Sequence, residues 1–218
     1  MKQTGIPGET KENAIEIIDL TKVIDKNLPI YIDGSYSDPP VQIESWCTVS
    51  EQGFNVSKLS LGTQTGTHID APAHFIENGA TLEALPVQAT IGPYLWIDLD
   101  KALETKIDAI EANYKDQPIL FLATSASETV ELSQAMFDRL LTLPCLVWVI
   151  VQGIQVSGQA PLYFHQALAE AGKYLIEEVD EAMAQQVKAG GELIALPLRL
   201  TNVSGSPCRV VVRQAFIT

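Results

Sequence analysis

A chain of 218 residues with 46% hydrophobic content can bury one sizeable core and is short for two independent domains. Its 27 acidic and 14 basic residues leave a formal charge of −13, a field that repels phosphate backbones and anionic bilayers, so neither nucleic-acid binding nor membrane association is expected. No run reaches the roughly 18 apolar residues needed to cross a bilayer.

Residues 1–13 are polar, contain Gly and Pro, and carry no apolar stretch resembling a signal peptide. They read as a mobile tail ahead of a single domain spanning residues 14–218. Ala14–Leu20 has the β-branched content of a strand, and Pro29–Gly34 has turn chemistry. Phe54–Leu61 reads as a further strand, after which Gly62, Gly66 and Pro72 predict an exposed loop over residues 62–74. Strands are expected at Tyr94–Leu99, Ile119–Ala123, Leu146–Val151, Leu193–Leu198 and Arg209–Phe216. Helices are expected at Ile107–Tyr114, Leu132–Leu141, Leu162–Ala171 and Glu181–Ala189, the last two followed by glycines. Helices cluster after residue 105 without an evident βαβ repeat, which points to an α+β architecture with one layered domain. Cys47, Cys145 and Cys208 are odd in number and far apart, so neither a disulfide framework nor a thiolate zinc site is suggested, and a reduced cytoplasmic setting fits. Cys145 opens an apolar run and reads as a small buried side chain.

Two of the three histidines fall within seven residues, in Gly66-Thr-His68-Ile-Asp70-Ala-Pro-Ala-His74. In an extended segment alternate side chains share a face, so Gln64, His68, Asp70 and His74 can point into one pocket. Imidazole and carboxylate together suit Zn²⁺, Mn²⁺ or Fe²⁺, although His-x-Asp alone serves a hydrogen-bonded pair equally well. The third histidine, His165, lies in a helix-like stretch, and Glu177 follows in the apolar segment Tyr174–Glu178. By themselves these read as a partly buried histidine and a solvated strand face. Tyr31, Trp46 and Phe54 are candidates for substrate contact on the loops Tyr31–Tyr36 and Ser45–Phe54, which a neighbouring subunit could supply. No Gly-x-Ser-x-Gly elbow is present, which argues against a serine nucleophile.

The run Gln64-Thr-Gly-Thr-His-Ile-Asp-Ala-Pro-Ala-His-Phe75 resembles the signature His-x-Gly-Thr-His-x-Asp-x-Pro-x-His of the metal-dependent cyclase family, which includes kynurenine formamidases and isatin hydrolases. The resemblance continues through Ile18-Asp-Leu-Thr21, Pro29-Ile-Tyr31, Gly153-Ile154, Ile194–Arg199 and Gly205–Arg209. It implies a swivelling β/β/α fold with a mixed sheet, and a homodimer or homotetramer. It also implies one or two divalent ions, Zn²⁺ or Mn²⁺. His68 and Asp70 would hold one ion, Asp70 would bridge to a second held by His165 and Glu177, and His74 would act in catalysis. The implied chemistry is hydrolysis of a small amide, formamide or lactam by a metal-bound water.

Two positions depart from the pattern. Gln64 stands at a histidine ligand position, and Gln155 stands where the family has an aspartate. An amide oxygen ligates more weakly than imidazole, so looser metal binding is expected at Gln64. A binding protein that has lost catalysis, or a non-hydrolytic cyclase or lyase, are the alternative readings.

Overall fold

The structure is a computed structural model that describes residues 15–101 and 107–215; the expected tail at residues 1–13 lies outside them. The described strands are β1 (Ile15–Asp19), β2 (Ile32–Asp33), β3 (Tyr36–Ser37), β4 (Gln42–Cys47), β5 (Val56–Ser60), β6 (His68–Asp70), β7 (Ile91–Asp98), β8 (Ile119–Ala123), β9 (Val130–Leu132), β10 (Val147–Ile150), β11 (Ile154–Val156), β12 (Tyr174–Glu177), β13 (Glu192–Pro197) and β14 (Gly205–Ala215). The helices are α1 (Val49–Gln52), α2 (Ile107–Asn113), α3 (Gln134–Leu141), α4 (Tyr163–Glu170) and α5 (Glu181–Ala184).

Seven strands close into a barrel in the order β14–β13–β7–β8–β10–β12–β6, with β6 returning to pair with β14. Strand β1 adds to the outer part of β14. The mixed α+β class expected from the sequence therefore holds. Strands β7, β8, β10 and β12 run parallel, joined through α2, α3 and α4, so the middle of the chain is a βαβ series that composition did not reveal.

Alternation along the parallel strands sorts the core into two layers. Ile119, Phe121, Val147, Val149 and Ile176 point into the barrel, where they meet Ile69, Leu193 and Val210. Leu120, Leu122, Trp148, Ile150 and Leu175 point outward, against Phe137 and Leu140 of α3 and Phe164 and Leu168 of α4. Helix α3 begins at Ser133, whose Oγ accepts the Met136 N–H at 3.3 Å, so Leu132 ends β9 instead of starting the helix. Helix α5 stops at Ala184, short of the expected Ala189, although Asp180 caps its start by accepting the Met183 N–H.

The largest difference from expectation concerns residues 62–74. Thr65–Pro72 is buried, and His68–Asp70 is a barrel strand held on both edges. The strand spans three residues, too few to display a period, and Pro72 lies beyond its end, where a missing N–H costs the ladder nothing. Strands β4 and β5 form a separate two-stranded arm whose side chains are almost all exposed.

Candidate metal centre

Strand β6 places the chemistry. Ile69 points into the core and is fully buried, which turns His68 and Asp70 to the opposite face. Register then brings in Glu177, because β12 runs antiparallel to β6 with Glu177 directly opposite His68. His68 Nε2 lies 3.5 Å from Asp70 Oδ1 and 3.3 Å from Glu177 Oε1. The other Glu177 oxygen lies 3.2 Å from His165 Nε2, carried on the first turn of α4. Phe164, the residue before it, anchors that turn in the outer core.

Residues before the strand fix its geometry. Gly66 adopts φ +63°, a conformation that costs a side chain strain. Its carbonyl then accepts the His68 Nδ1–H at 2.7 Å. A carbonyl only accepts, so Nε2 is the nitrogen turned toward the two carboxylates. Thr67 ties three segments together: its Oγ1 donates to the Glu178 carbonyl at 2.7 Å and accepts the Lys22 N–H at 2.9 Å. After the strand, Pro72 opens a 3-10 turn that carries His74 to the surface of the same cavity. The Phe75 ring stands between the imidazoles of His74 and His165, with centroids 4.5 Å and 5.3 Å away.

Gln64 lies against Asp70 from the preceding turn. Its amide nitrogen donates to Asp70 Oδ1 and to Ser204 Oγ, both at 3.3 Å, while its oxygen accepts from Thr63 Oγ1 at 2.5 Å. Close approach depends on Gly205, where a Cβ would fall 2.6 Å from the Gln64 nitrogen and 2.7 Å from the Ile69 carbonyl.

The electrostatics are those of a cation site. Burial opposes charge on His68, but the neighbouring Glu177 and Asp70 carboxylates outweigh it and push its pKa up to about 9. Burial pushes the Asp70 carboxyl up, offset in part by His68. Burial also opposes charge on Glu177, yet the His165 hydrogen bond and the His68 imidazole beside it hold its carboxyl well below the usual range. His68 Nε2 and Asp70 Oδ2 are buried without a hydrogen-bond partner, and donor atoms of His68, Asp70 and Glu177 lie within 4.8 Å of one another. One imidazole, its Nε2 proton displaced by the ion, and two carboxylates match the donor set of Zn²⁺ or Mn²⁺. His165 stands outside that compact group and reaches it through Glu177.

His68, Glu177 and His165 line a cavity of about 850 Å³, whereas Asp70, expected to face the same pocket, lies behind them and is not among its lining residues. Gln64, His68, His74, His165, Glu177 and Tyr31 line it as the sequence led us to expect. Trp46 and Phe54 do not: they are 72% and 58% exposed on the β4–β5 arm. Tyr36 lines it from the expected loop Tyr31–Tyr36, and Phe75 and Lys22 line it without having been anticipated. Lys22 donates to Glu178 at 2.6 Å. Gln155 lies on β11, where its amide donates to the Gln159 carbonyl at 2.9 Å, away from the cavity.

The family described as putative cyclase matches residues 18–160. A kynurenine formamidase of Bacillus cereus is 30% identical over 214 aligned positions, with 91% of this chain and 97% of the relative covered. A crystal structure of an isatin hydrolase bound to the product analogue thioisatinate superposes with a TM-score of 0.76 at 21% identity, covering 93% of each chain. A structure described as a potential metal-dependent hydrolase with cyclase activity superposes with a TM-score of 0.69 at 25% identity, covering 94% of this chain and all of the other.

Proposed function

The chain belongs to the cyclase family, and from that premise we propose that it hydrolyses a small amide, formamide or lactam-type carbonyl with a divalent metal ion as cofactor. The observation that carries this reading is the convergence of His68, Asp70 and Glu177, with His68 Nε2 and Asp70 Oδ2 buried and unpartnered, beside a cavity of about 850 Å³ that His68 and Glu177 line. The relatives' names, kynurenine formamidase and isatin hydrolase, support the same class of carbon–nitrogen bond.

His68, Asp70 and Glu177 would hold the ion. Bound there, Zn²⁺ or Mn²⁺ supplies Lewis acidity toward a carbonyl and acidifies water. The two carboxylates balance the ion's charge, and His165 orients Glu177 from its far oxygen. His74 takes the proton of the attacking water and returns it to the leaving nitrogen, a task suited to an imidazole on a solvent-facing turn. Phe75, Tyr31 and Tyr36 supply an aromatic wall for a planar substrate.

The β4–β5 arm fits a homodimer. Ile43, Trp46, Phe54 and Leu59 are each more than half exposed, an apolar surface that a monomer seldom leaves in water. A second copy of the chain would cover it, and Trp46 and Phe54 would meet the partner's cavity mouth.

Formate release from an N-formyl arylamine, and ring opening of a lactam, test the reaction. Protein loaded with Zn²⁺ or Mn²⁺ is expected to hydrolyse at least one of them, chelator-treated protein neither, and the His74→Ala variant is expected to lose roughly 10²–10⁴-fold in rate. Ligand binding without turnover in the loaded protein would replace the hydrolase reading with a binding protein. Turnover indifferent to chelation would remove the metal from the account.

A further inference from the structure

Gln64 occupies the position where the family signature has a ligating histidine, yet its amide is oriented as a donor. Its NH₂ group faces Asp70 Oδ1 and Ser204 Oγ, and its oxygen is committed to the Thr63 hydroxyl. An NH₂ group carries no lone pair for a cation. Rotating the amide to present the oxygen would set it against the Asp70 carboxylate, one acceptor facing another.

Each neighbour of the amide supports this orientation. Asp70 divides its oxygens: Oδ1 receives Gln64, whereas Oδ2 is buried and free. Gly205 leaves room for the Gln64 nitrogen, which lies 2.6 Å from where a Cβ would sit. His165, which the resemblance assigns to a second ion, stays outside the compact donor group and bonds Glu177.

We propose that Gln64 is a positioning residue, not a ligand, and that its hydrogen bond to Asp70 restricts the centre to one divalent ion per chain, held by His68, Asp70 and Glu177. This inference rests on the metal-dependent reading above. The amide takes the place at Asp70 Oδ1 that a bridged second ion would need, which leaves the buried and unpaired Oδ2 as the oxygen free for an ion. Outer groups of this kind are worth roughly 10- to 100-fold in metal affinity.

The test is metal stoichiometry by elemental analysis of the full-length chain dialysed against Mn²⁺, with the electron paramagnetic resonance spectrum of the bound ion. The wild type is expected to hold one Mn²⁺ per chain and show the hyperfine pattern of an isolated ion. Gln64→Ala should keep one ion with roughly 10- to 100-fold weaker affinity. Gln64→His should take up a second ion and show an exchange-coupled spectrum. Two ions in the wild type, or complete loss of metal in Gln64→Ala, would overturn the proposal while leaving the metal-dependent reading standing. A Gln64→His protein that still held one ion would equally overturn it. No bound Mn²⁺ in the wild type would sink both.

Discussion

Individual side chains in the Gly66-Thr67-His68 triplet do separable jobs. Gly66 supplies the positive φ and the carbonyl that orients the imidazole. Thr67, only 1% exposed, bridges the chain after β1 to the end of β12 through its hydroxyl. Replacing Thr67 with Val keeps the shape and removes the hydroxyl, leaving the Glu178 carbonyl and the Lys22 N–H without it. Such loss costs about 1–3 kcal/mol. Urea denaturation of the ion-free protein should show that decrease for Thr67→Val and recovery for Thr67→Ser; a Val variant as stable as the wild type would contradict the role. At this scale the sequence was informative about part of the ligand set, since His68 and Asp70 announce themselves by chemistry and motif. It was silent about Ser204 and Lys22, whose side chains are ordinary and acquire meaning only when sheet closure sets Ser204 beside Gln64 and Lys22 beside Glu178.

Among elements, the long apolar strands were legible and the short ones were not. Ile119–Ala123 emerges with its expected bounds because a strand buried on both faces reads as an unbroken apolar run. Strand β6 was hidden: glycine and proline at its borders punctuate like a loop, and its polar residues face an internal site in place of solvent. Glu177 misled in the same way, since a carboxylate at the end of β12 looks like a solvated face until two imidazoles are placed against it. Trp46 and Phe54, anticipated in the pocket, project from an arm whose strands pair only with each other. If the arm docks a second copy, light scattering coupled to size-exclusion chromatography should give a dimer for the wild type. Trp46→Ser combined with Leu59→Lys should shift it toward monomer, as burying an unpaired lysine at an interface is costly. A monomeric wild type would contradict the docking role.

For the molecule as a whole, the barrel is what makes a site out of distant residues. Strand β14 pairs with β1, β13 and β6, so the last described strand locks the first one and the metal-facing one into a single sheet. Arg209 on β14 pairs with Asp19 on β1 through Nε at 2.9 Å and through its terminal nitrogen, tying the two ends of the described chain together. Being exposed, that pair contributes little energy, and its value lies in register. The βαβ series between β7 and β12 sets Glu177 opposite His68, and α4 brings His165 to its other oxygen. No helix among the described residues is long and apolar enough to cross a membrane. Closure of the ring could not be foreseen, because the pairing of β6 with β14 joins segments remote in sequence and leaves no local periodic mark. The central claim is that these segments share a divalent ion, and anomalous diffraction from crystals grown with Mn²⁺ tests it most directly. The account predicts a peak at roughly 2.0–2.2 Å from His68 Nε2 and from oxygens of Asp70 and Glu177; an anomalous map with no peak among these three side chains would contradict it.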